Sequence, residues 1–322
     1  MKDYIVHTNS QWERKTTVRL SIVTAIYNRV DLFKRTIESV LRQTSTSFEY
    51  IIVDDGSSDD VFTLVSTYMN RTTIPFLFIK KENGGAHTAR NLGIRQARGE
   101  YLLILDADDE LVNDAVDTYL RAWDSIPEHR RGEYREVVAR NMDEYGRLLS
   151  IPFPEGINNM PKDIAQKKAQ TGAHISVNRT DVLRNNPFDE PQGVTFVDEN
   201  LLWIKLDRLY KSYYINDVTY IYHMDIDDSI CHSKGKKKTV QHCINSLYNS
   251  RCYLELNKSF SLRYFKRVLM YTTFLHVLRI LKETPSYSWN TKHIKGVINR
   301  MLIPIAWAPC YFMALEYIKN KM

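Results

Sequence analysis

The chain has 322 residues, 43% of them apolar and 25% charged, which allows one large domain or two modest ones with ample core and excludes a disordered chain. A formal net charge of +6 hides an asymmetry: residues 232–322 hold 16 Lys/Arg against 3 Asp/Glu, a balance of +13, while the rest holds 28 against 35, a balance of −7. An acidic body suits a metal, and a basic tail suits phosphates or an anionic bilayer.

Residues 1–17 are polar and read as an extension. Val18 to Ile26 is a β-branched run that reads as a buried strand, closed by Tyr27-Asn28. Asp31 to Gln43 carries Leu32, Ile37, Val40 and Leu41 at helical spacing, with Asp31 as the expected N-cap. Tyr50 to Val53 is a second strand, Val61 to Met69 a helix, Phe76 to Ile79 a third strand, and Gly84-Gly85 opens a helix through Ala97. Tyr101 to Leu105 is a fourth strand and Ala115 to Trp123 a helix. Such alternation marks βαβ units on a parallel sheet. After Asp124 the rhythm loosens, with a strand expected at Glu136 to Arg140 and a helix at Val197 to Tyr210; from Thr239 onward the chain reads as helical and basic. Cys231, Cys243, Cys252 and Cys310 include no Cys-x-x-Cys pair, so they support neither a zinc site nor a disulfide framework. Met1-Lys2-Asp3-Tyr4 lacks the start of a signal peptide. A cytoplasmic setting is expected, with Asn178-Arg179-Thr180 not glycosylated.

Three acidic clusters follow apolar runs: Asp54-Asp55, Asp106-Ala107-Asp108-Asp109 and Asp198-Glu199. Carboxylates at the carboxyl edge of an open α/β sheet sit where such sheets bind ligands. Asp106 and Asp108 suit a hard divalent ion, although Asp108 or Asp109 would equally cap the following helix. Asp54 and Asp55, with Gly56 and Ser57, suit the N–H and O–H donors of a base or ribose; Ser58 or Asp59 would equally cap a helix. Gly84-Gly85 allows a close backbone approach at a helix N-terminus, the setting that favours phosphate, or is an ordinary turn with Arg90 on a solvated face.

Taken in order, these segments resemble the family 2 glycosyltransferases of the GT-A fold. The series runs from Leu20–Asn28 through Ser39–Thr44, Tyr50–Ser58, Gly84–Asn91, Gly99–Tyr101 and Leu105–Asp109 to Phe188–Glu190 and Val197–Trp203, covering roughly residues 18–230. The resemblance implies an α/β Rossmann-like catalytic domain over 18–231, with a nucleotide half (about 18–124) and an acceptor half (about 125–231), before a basic helical region over 232–322. It implies that Tyr27, Asp54 and Asp55 contact the uracil of a UDP-sugar, that Arg90 and Asn91 line the nucleotide cleft, and that Asp106 faces the ribose. Asp108 would ligate Mn²⁺ or Mg²⁺ bridging the diphosphate, with His223 closing the metal site and Asp225 competing for that place.

The general base is expected in the Asp198-Glu199 pair. The family usually has Glu then Asp here, with the aspartate as base; this chain inverts the order, which aligns Glu199 with the base and leaves Asp198 second. The implied activity is inverting, metal-dependent sugar transfer to a glycan hydroxyl, with a lipid-linked acceptor. The alternative is a catalytically silent sugar-nucleotide or membrane-binding module. Lys234 to Lys238 and the apolar stretch Met301 to Leu315 suggest a peripheral segment on the inner face of the cytoplasmic membrane, the latter too short to span it. A helical cap on the catalytic domain is the other reading of this region. No nucleic-acid-binding motif accompanies the charge.

Overall fold

The apolar runs of the first hundred residues need burial on both faces, which a parallel sheet sandwiched between helices supplies. The computed structural model describes residues 4–14, 17–169, 174–224, 236–256, 262–283, 310–319 and 321. In chain order they form β1 (Ile5–Thr8), α1 (Ser10–Arg14), β2 (Leu20–Ile26), α2 (Val30–Leu41), β3 (Phe48–Asp54), α3 (Val61–Met69), β4 (Phe76–Lys80), α4 (Ala86–Gln96) and β5 (Tyr101–Ile104). After these come β6 (Glu110–Leu111), α5 (Ala115–Ser125), α6 (Glu128–Arg131), β7 (Tyr134–Asp143), α7 (Lys162–Ala169), β8 (His174–Arg179) and α8 (Thr180–Asn185). The series closes with α9 (Asn200–Leu209), β9 (Lys211–Tyr222), α10 (Lys236–Leu256) and α11 (Leu262–Ile280).

The strands make one mixed sheet in the order β1-β4-β3-β2-β5-β8-β7-β9-β6. Its centre, β4-β3-β2-β5, is parallel throughout. β1 and β8 flank that block in antiparallel pairing, and β7 pairs in parallel with β9. On one face Leu20, Ile22, Phe48, Tyr50, Ile52 and Phe76 pack against Phe33 and Ile37 of α2, Val65 of α3 and Tyr119 and Trp123 of α5. Each such fully buried large side chain contributes about 1.5–3 kcal/mol. Val23 points to the opposite face, where α4 lies so close that a Cβ on Gly93 would fall 2.3 Å from its Cγ1. Near the start of β3, fully buried Glu49 accepts hydrogen bonds from Ser21 Oγ and from the Arg98 backbone N–H and Nε, each at 2.6 Å. That carboxylate ties β2, β3 and the turn before β5 together.

Three expectations change. Residues 1–17 are more than an extension, because Ile5–Thr8 pairs with Thr8 opposite Leu77 and Ile5 opposite Lys80 at the sheet edge. Asp31 does not cap α2: the helix begins one residue earlier, and its Val30 N–H donates instead to Asp59 Oδ2 at 2.9 Å, from the loop after β3. The cap of α3 is Asp60, accepting from Thr63 N–H at 3.1 Å, rather than Ser58 or Asp59.

Residues 1–187 and 206–226 form one compact unit, and residues 188–205 and 227–322 a second. The core of the second joins Cys243, Leu247 and Leu254 of α10, Val268, Tyr271 and Val277 of α11, and Cys310 and Ala314 from a helical stretch at 310–319. Among the described residues no helix is long and apolar enough to cross a membrane.

Candidate active site

β2, β3 and β4 end side by side, with Ile26 opposite Asp54 and Asp54 opposite Lys80. The Asp55 N–H donates to Ile26 O at 2.8 Å, and Gly56 turns the chain with φ +79°, where a Cβ would meet Asn83 N at 2.8 Å. Asp54, almost fully buried, accepts from Ser57 N–H at 2.8 Å and lies 3.3 Å from Lys80 Nζ. Buried Asp55 is a hub. Its carboxylate accepts from the Gly84 N–H at 3.0 Å and the Gly85 N–H at 2.8 Å, and it pairs with the Lys81 ammonium. Lys81 Nζ donates in turn to Thr88 Oγ1 at 2.9 Å, so the turn opening α4 is held from both sides.

Asn28 has φ +51°, a left-handed geometry that asparagine tolerates. Its N–H donates to Ser57 Oγ at 3.0 Å and its Oδ1 accepts from Ser58 N–H at 2.7 Å, joining the loops after β2 and β3. Tyr27, beside this joint, stays half-exposed at the sheet edge.

The second acidic cluster follows β5, whose neighbour Leu105 is bonded through its N–H to Val23 O at 2.9 Å. Asp106 is half-exposed and accepts from Arg90 Nη2 at 2.8 Å. Asp108 pairs with the Arg29 guanidinium, and its backbone carbonyl accepts from Arg35 Nε at 2.8 Å. Burial raises the Asp108 pKa, the Arg29 charge opposes that rise, and the Asp106 charge adds to it. Asp109 is buried and accepts from Tyr220 O–H at 2.6 Å and from the His223 N–H at 2.8 Å. Burial pushes its carboxyl up to about 7 despite those two hydrogen bonds. His223 therefore reaches the cluster through its backbone, while its ring Nε2 lies 2.9 Å from Glu110 Oε1; Arg42 holds the other Glu110 oxygen at 2.9 Å. Asn91 is buried within α4 rather than presented at the surface.

The residues suit a divalent cation in part. The donors at Asp106 and Asp108 are all oxygen, the class that hard cations take, and magnesium sites commonly use one or two carboxylates with phosphate oxygens completing the shell. Each carboxylate already has an arginine, and among the described residues no three His, Cys, Asp or Glu side chains converge to hold a metal. The arrangement fits a cation shared with a phosphate ligand, not a cage built by protein alone. Asp225 lies outside the described residues.

Asp198 and Glu199 belong to the second unit and directly precede α9. Asp198 Oδ1 accepts from the Asn200 backbone N–H at 3.0 Å and from its Nδ2 at 2.8 Å, and Oδ2 lies 3.2 Å from Arg267 Nη2 of α11. Glu199 is half-buried, and its carbonyl accepts from the N–H groups of Leu202 and Trp203 at the head of the helix.

Sequence reasoning missed Arg29, Arg35 and Lys81. A sequence signal existed for Lys81: two lysines close an apolar strand just before the Gly-Gly turn, where a buried acid needs a cation.

Residues 21–179 match the family model described as Glycosyl transferase family 2. The chain is 40% identical over 103 residues to an uncharacterized glycosyltransferase of Rickettsia felis, covering 32% of this chain and 17% of that one. In this and two further Rickettsia relatives the matched stretch spans less than a quarter of their length. It is 28% identical over 213 residues to the GalNAc(5)-diNAcBac-PP-undecaprenol beta-1,3-glucosyltransferase of Campylobacter jejuni, covering 66% of this chain and 67% of that one. The crystal structure of S. aureus TarS 1-349 in complex with UDP-GlcNAc superposes with a TM-score of 0.56 at 16% identity, over 95% of this chain and 84% of that one. The fold is therefore GT-A.

The raised carboxyl of Asp109 has a direct consequence for stability. Folded, it keeps its proton up to about 7; unfolded, it loses it near 3.8. The native state then binds more protons between those values, so this group's contribution is largest in acid and is lost as pH rises through about 7. Urea unfolding across that range should show the parent losing more stability with rising pH than Asp109→Asn; parallel curves for the two proteins would refute the assignment.

Proposed function

We propose that this chain, whose residues 21–179 match the glycosyl transferase family 2 model, is a member of that family and moves a hexose or N-acetylhexosamine from a UDP-sugar to a hydroxyl of a lipid-linked glycan, with inversion at the anomeric carbon. The observation that carries this reading is the gathering of Asp54, Asp55 and the Gly84-Gly85 turn at the carboxyl edge of the parallel strands, with the Asp106–Asp109 cluster following β5 at the same edge. A relative that acts on a PP-undecaprenol-linked glycan and a GT-A neighbour crystallised with UDP-GlcNAc support the donor and acceptor classes.

On this reading Tyr27 offers an aromatic face to the uracil, and Asp54 and Asp55 offer carboxylates to its N–H groups. The turn at the start of α4, whose two glycine N–H groups are taken by Asp55, carries Arg90 and Asn91 on the helix it opens, and these two would line the nucleotide cleft. Asp106 faces the ribose. Asp108, in the cluster that His223 joins through its backbone N–H to Asp109, would hold Mn²⁺ or Mg²⁺, which when bound supplies a Lewis acid that stabilises charge on the departing UDP. Glu199 takes the proton of the acceptor hydroxyl as its oxygen bonds to the anomeric carbon and the bond to UDP breaks. Displacement from the face opposite UDP inverts that carbon. Asp198 accepts from the Asn200 N–H at the head of α9 and lies against Arg267, and it remains the second candidate for the base.

The second unit extends the proposal to a membrane. The helix at 310–319 buries Cys310 and Ala314 but exposes Tyr311, Met313, Leu315 and above all Phe312, at 70%. An apolar ridge on a region carrying a balance of +13 fits an anionic bilayer surface, where each nearby Lys or Arg contributes on the order of 1 kcal/mol. Residues 234–235 and 301–309 lie outside the described residues.

Asp108→Ala should lose the Mn²⁺-dependent component of UDP binding in calorimetry; UDP affinity that responds to Mn²⁺ as in the parent would remove Asp108 from the metal site. Glu199→Gln should bind UDP normally and lose about 10²–10⁴-fold in turnover. The assay is UDP release from UDP-glucose, UDP-galactose, UDP-N-acetylglucosamine and UDP-N-acetylgalactosamine, and release from none of them by the parent would leave only a silent binding module. In co-sedimentation, the parent should pellet with phosphatidylcholine vesicles containing phosphatidylglycerol and not with phosphatidylcholine alone. Phe312→Ser should pellet less, and equal pelleting of parent and variant would refute the docking ridge.

A further inference from the structure

Residues 193–198, which lead into Glu199, lie in no helix or strand. Their backbone groups must still be satisfied where they are buried. Three amide side chains of α10, spaced four residues apart, do this. Gln241 Nε2 donates to Gly193 O at 2.9 Å. Asn245 Oδ1 accepts from the Thr195 N–H at 3.0 Å, and its Nδ2 donates to Thr195 Oγ1 at 3.1 Å. Asn249 Nδ2 donates to Phe196 O at 3.0 Å, and its Oδ1 accepts from the Asp198 N–H at 2.8 Å. Between these anchors Val194 and Val197 bury their side chains with Leu201, Tyr248 and Tyr253. One helix stripe thus reads an extended segment as a neighbouring strand would, and its last hydrogen bond falls on the residue before Glu199.

We propose that Asn245 and Asn249, with Gln241 at the start of the stripe, are positioning residues for the catalytic base: they fix the approach of the 193–198 segment and hence the place from which the Glu199 carboxylate acts. The proposal rests on the reading that Glu199 is that base. Arg267 completes the device. Its guanidinium lies 5.3 Å from the Tyr253 ring centroid and 3.2 Å from Asp198 Oδ2, holding the first acid to the second unit while the second enters the head of α9. A side chain that only stabilised the unit would change folding without changing chemistry; a positioning side chain changes turnover and leaves donor binding alone.

The experiment compares Asn249→Ala, Asn245→Ala and Glu199→Gln as full chains, using release of UDP from whichever of the four UDP-sugars the parent turns over fastest. Asn249→Ala should lose roughly a hundredfold in kcat, the scale expected when a catalytic group is misplaced by about 1 Å. KM for the donor and UDP affinity should stay at the parent's values, and the acidic limb of the pH–rate profile should move. Asn249→Asp, which keeps the acceptor for the Asp198 N–H, should recover part of the loss. If Asn249→Ala does not fold, Asn245→Ser carries the same comparison. Parental kcat in the asparagine variants beside a silent Glu199→Gln would overturn the positioning role and leave the base in place. Parental turnover by Glu199→Gln would overturn both. A fall in kcat matched by an equal fall in the fraction folded, with an unchanged pH profile, would also overturn the positioning role.

Discussion

Like charges gathered at one sheet edge must be compensated, and that requirement organises the first unit. Two aspartates end β3 or follow it directly, and three aspartates and a glutamate follow β5 within six residues. Each carboxylate is answered: Asp54 by Lys80 and a backbone N–H, Asp55 by Lys81 and two glycine N–H groups, Asp106 by Arg90, Asp108 by Arg29, and Glu110 by Arg42. Asp109 has hydrogen bonds but lies among its own kind, and it is the member whose carboxyl rises to about 7. The loops after β2, β3 and β4 take their shape from these contacts.

The same compensation bears on how a ligand would be received. On the proposed reading, a divalent ion arriving with the nucleotide would compete with Arg29 and Arg90 for the oxygens of Asp108 and Asp106. The site is therefore electrostatically closed by its own side chains in the form described here. Binding at such a site would replace internal pairs with external ones instead of filling a bare anionic hollow.

Much of this was legible in the sequence because burial on both faces of a strand leaves a continuous apolar run, and because turns need glycine. The strands at 20–26, 48–54, 76–80 and 101–104, and the helix opened by Gly84-Gly85, follow from those two rules. Asn28 was visible only as the close of the first strand and as part of a resemblance; its role is a left-handed corner that clasps Ser57 and Ser58. Long-range choices were not legible. Nothing local says that Asp59 rather than Asp31 serves the start of α2, since the donor and acceptor meet only when two loops are brought together by the sheet. Ile5–Thr8 was hidden for the same reason: an exposed edge strand has no apolar signature, and its pairing is made by the backbone. The partners of Asp198, Asn249 and Arg267, lie 51 and 69 residues away, beyond the reach of any spacing rule.

The asparagine stripe of α10 carries a constraint on how this region can diverge. Side chains at 241, 245 and 249 share one face only because about 100° of rotation accompanies each residue. Inserting or deleting a single residue between them would swing one end of the stripe away by that angle and strand the backbone it serves. Substitutions along this stretch can drift one at a time, but its length is frozen, so any lengthening of the second unit must be accommodated elsewhere in the chain.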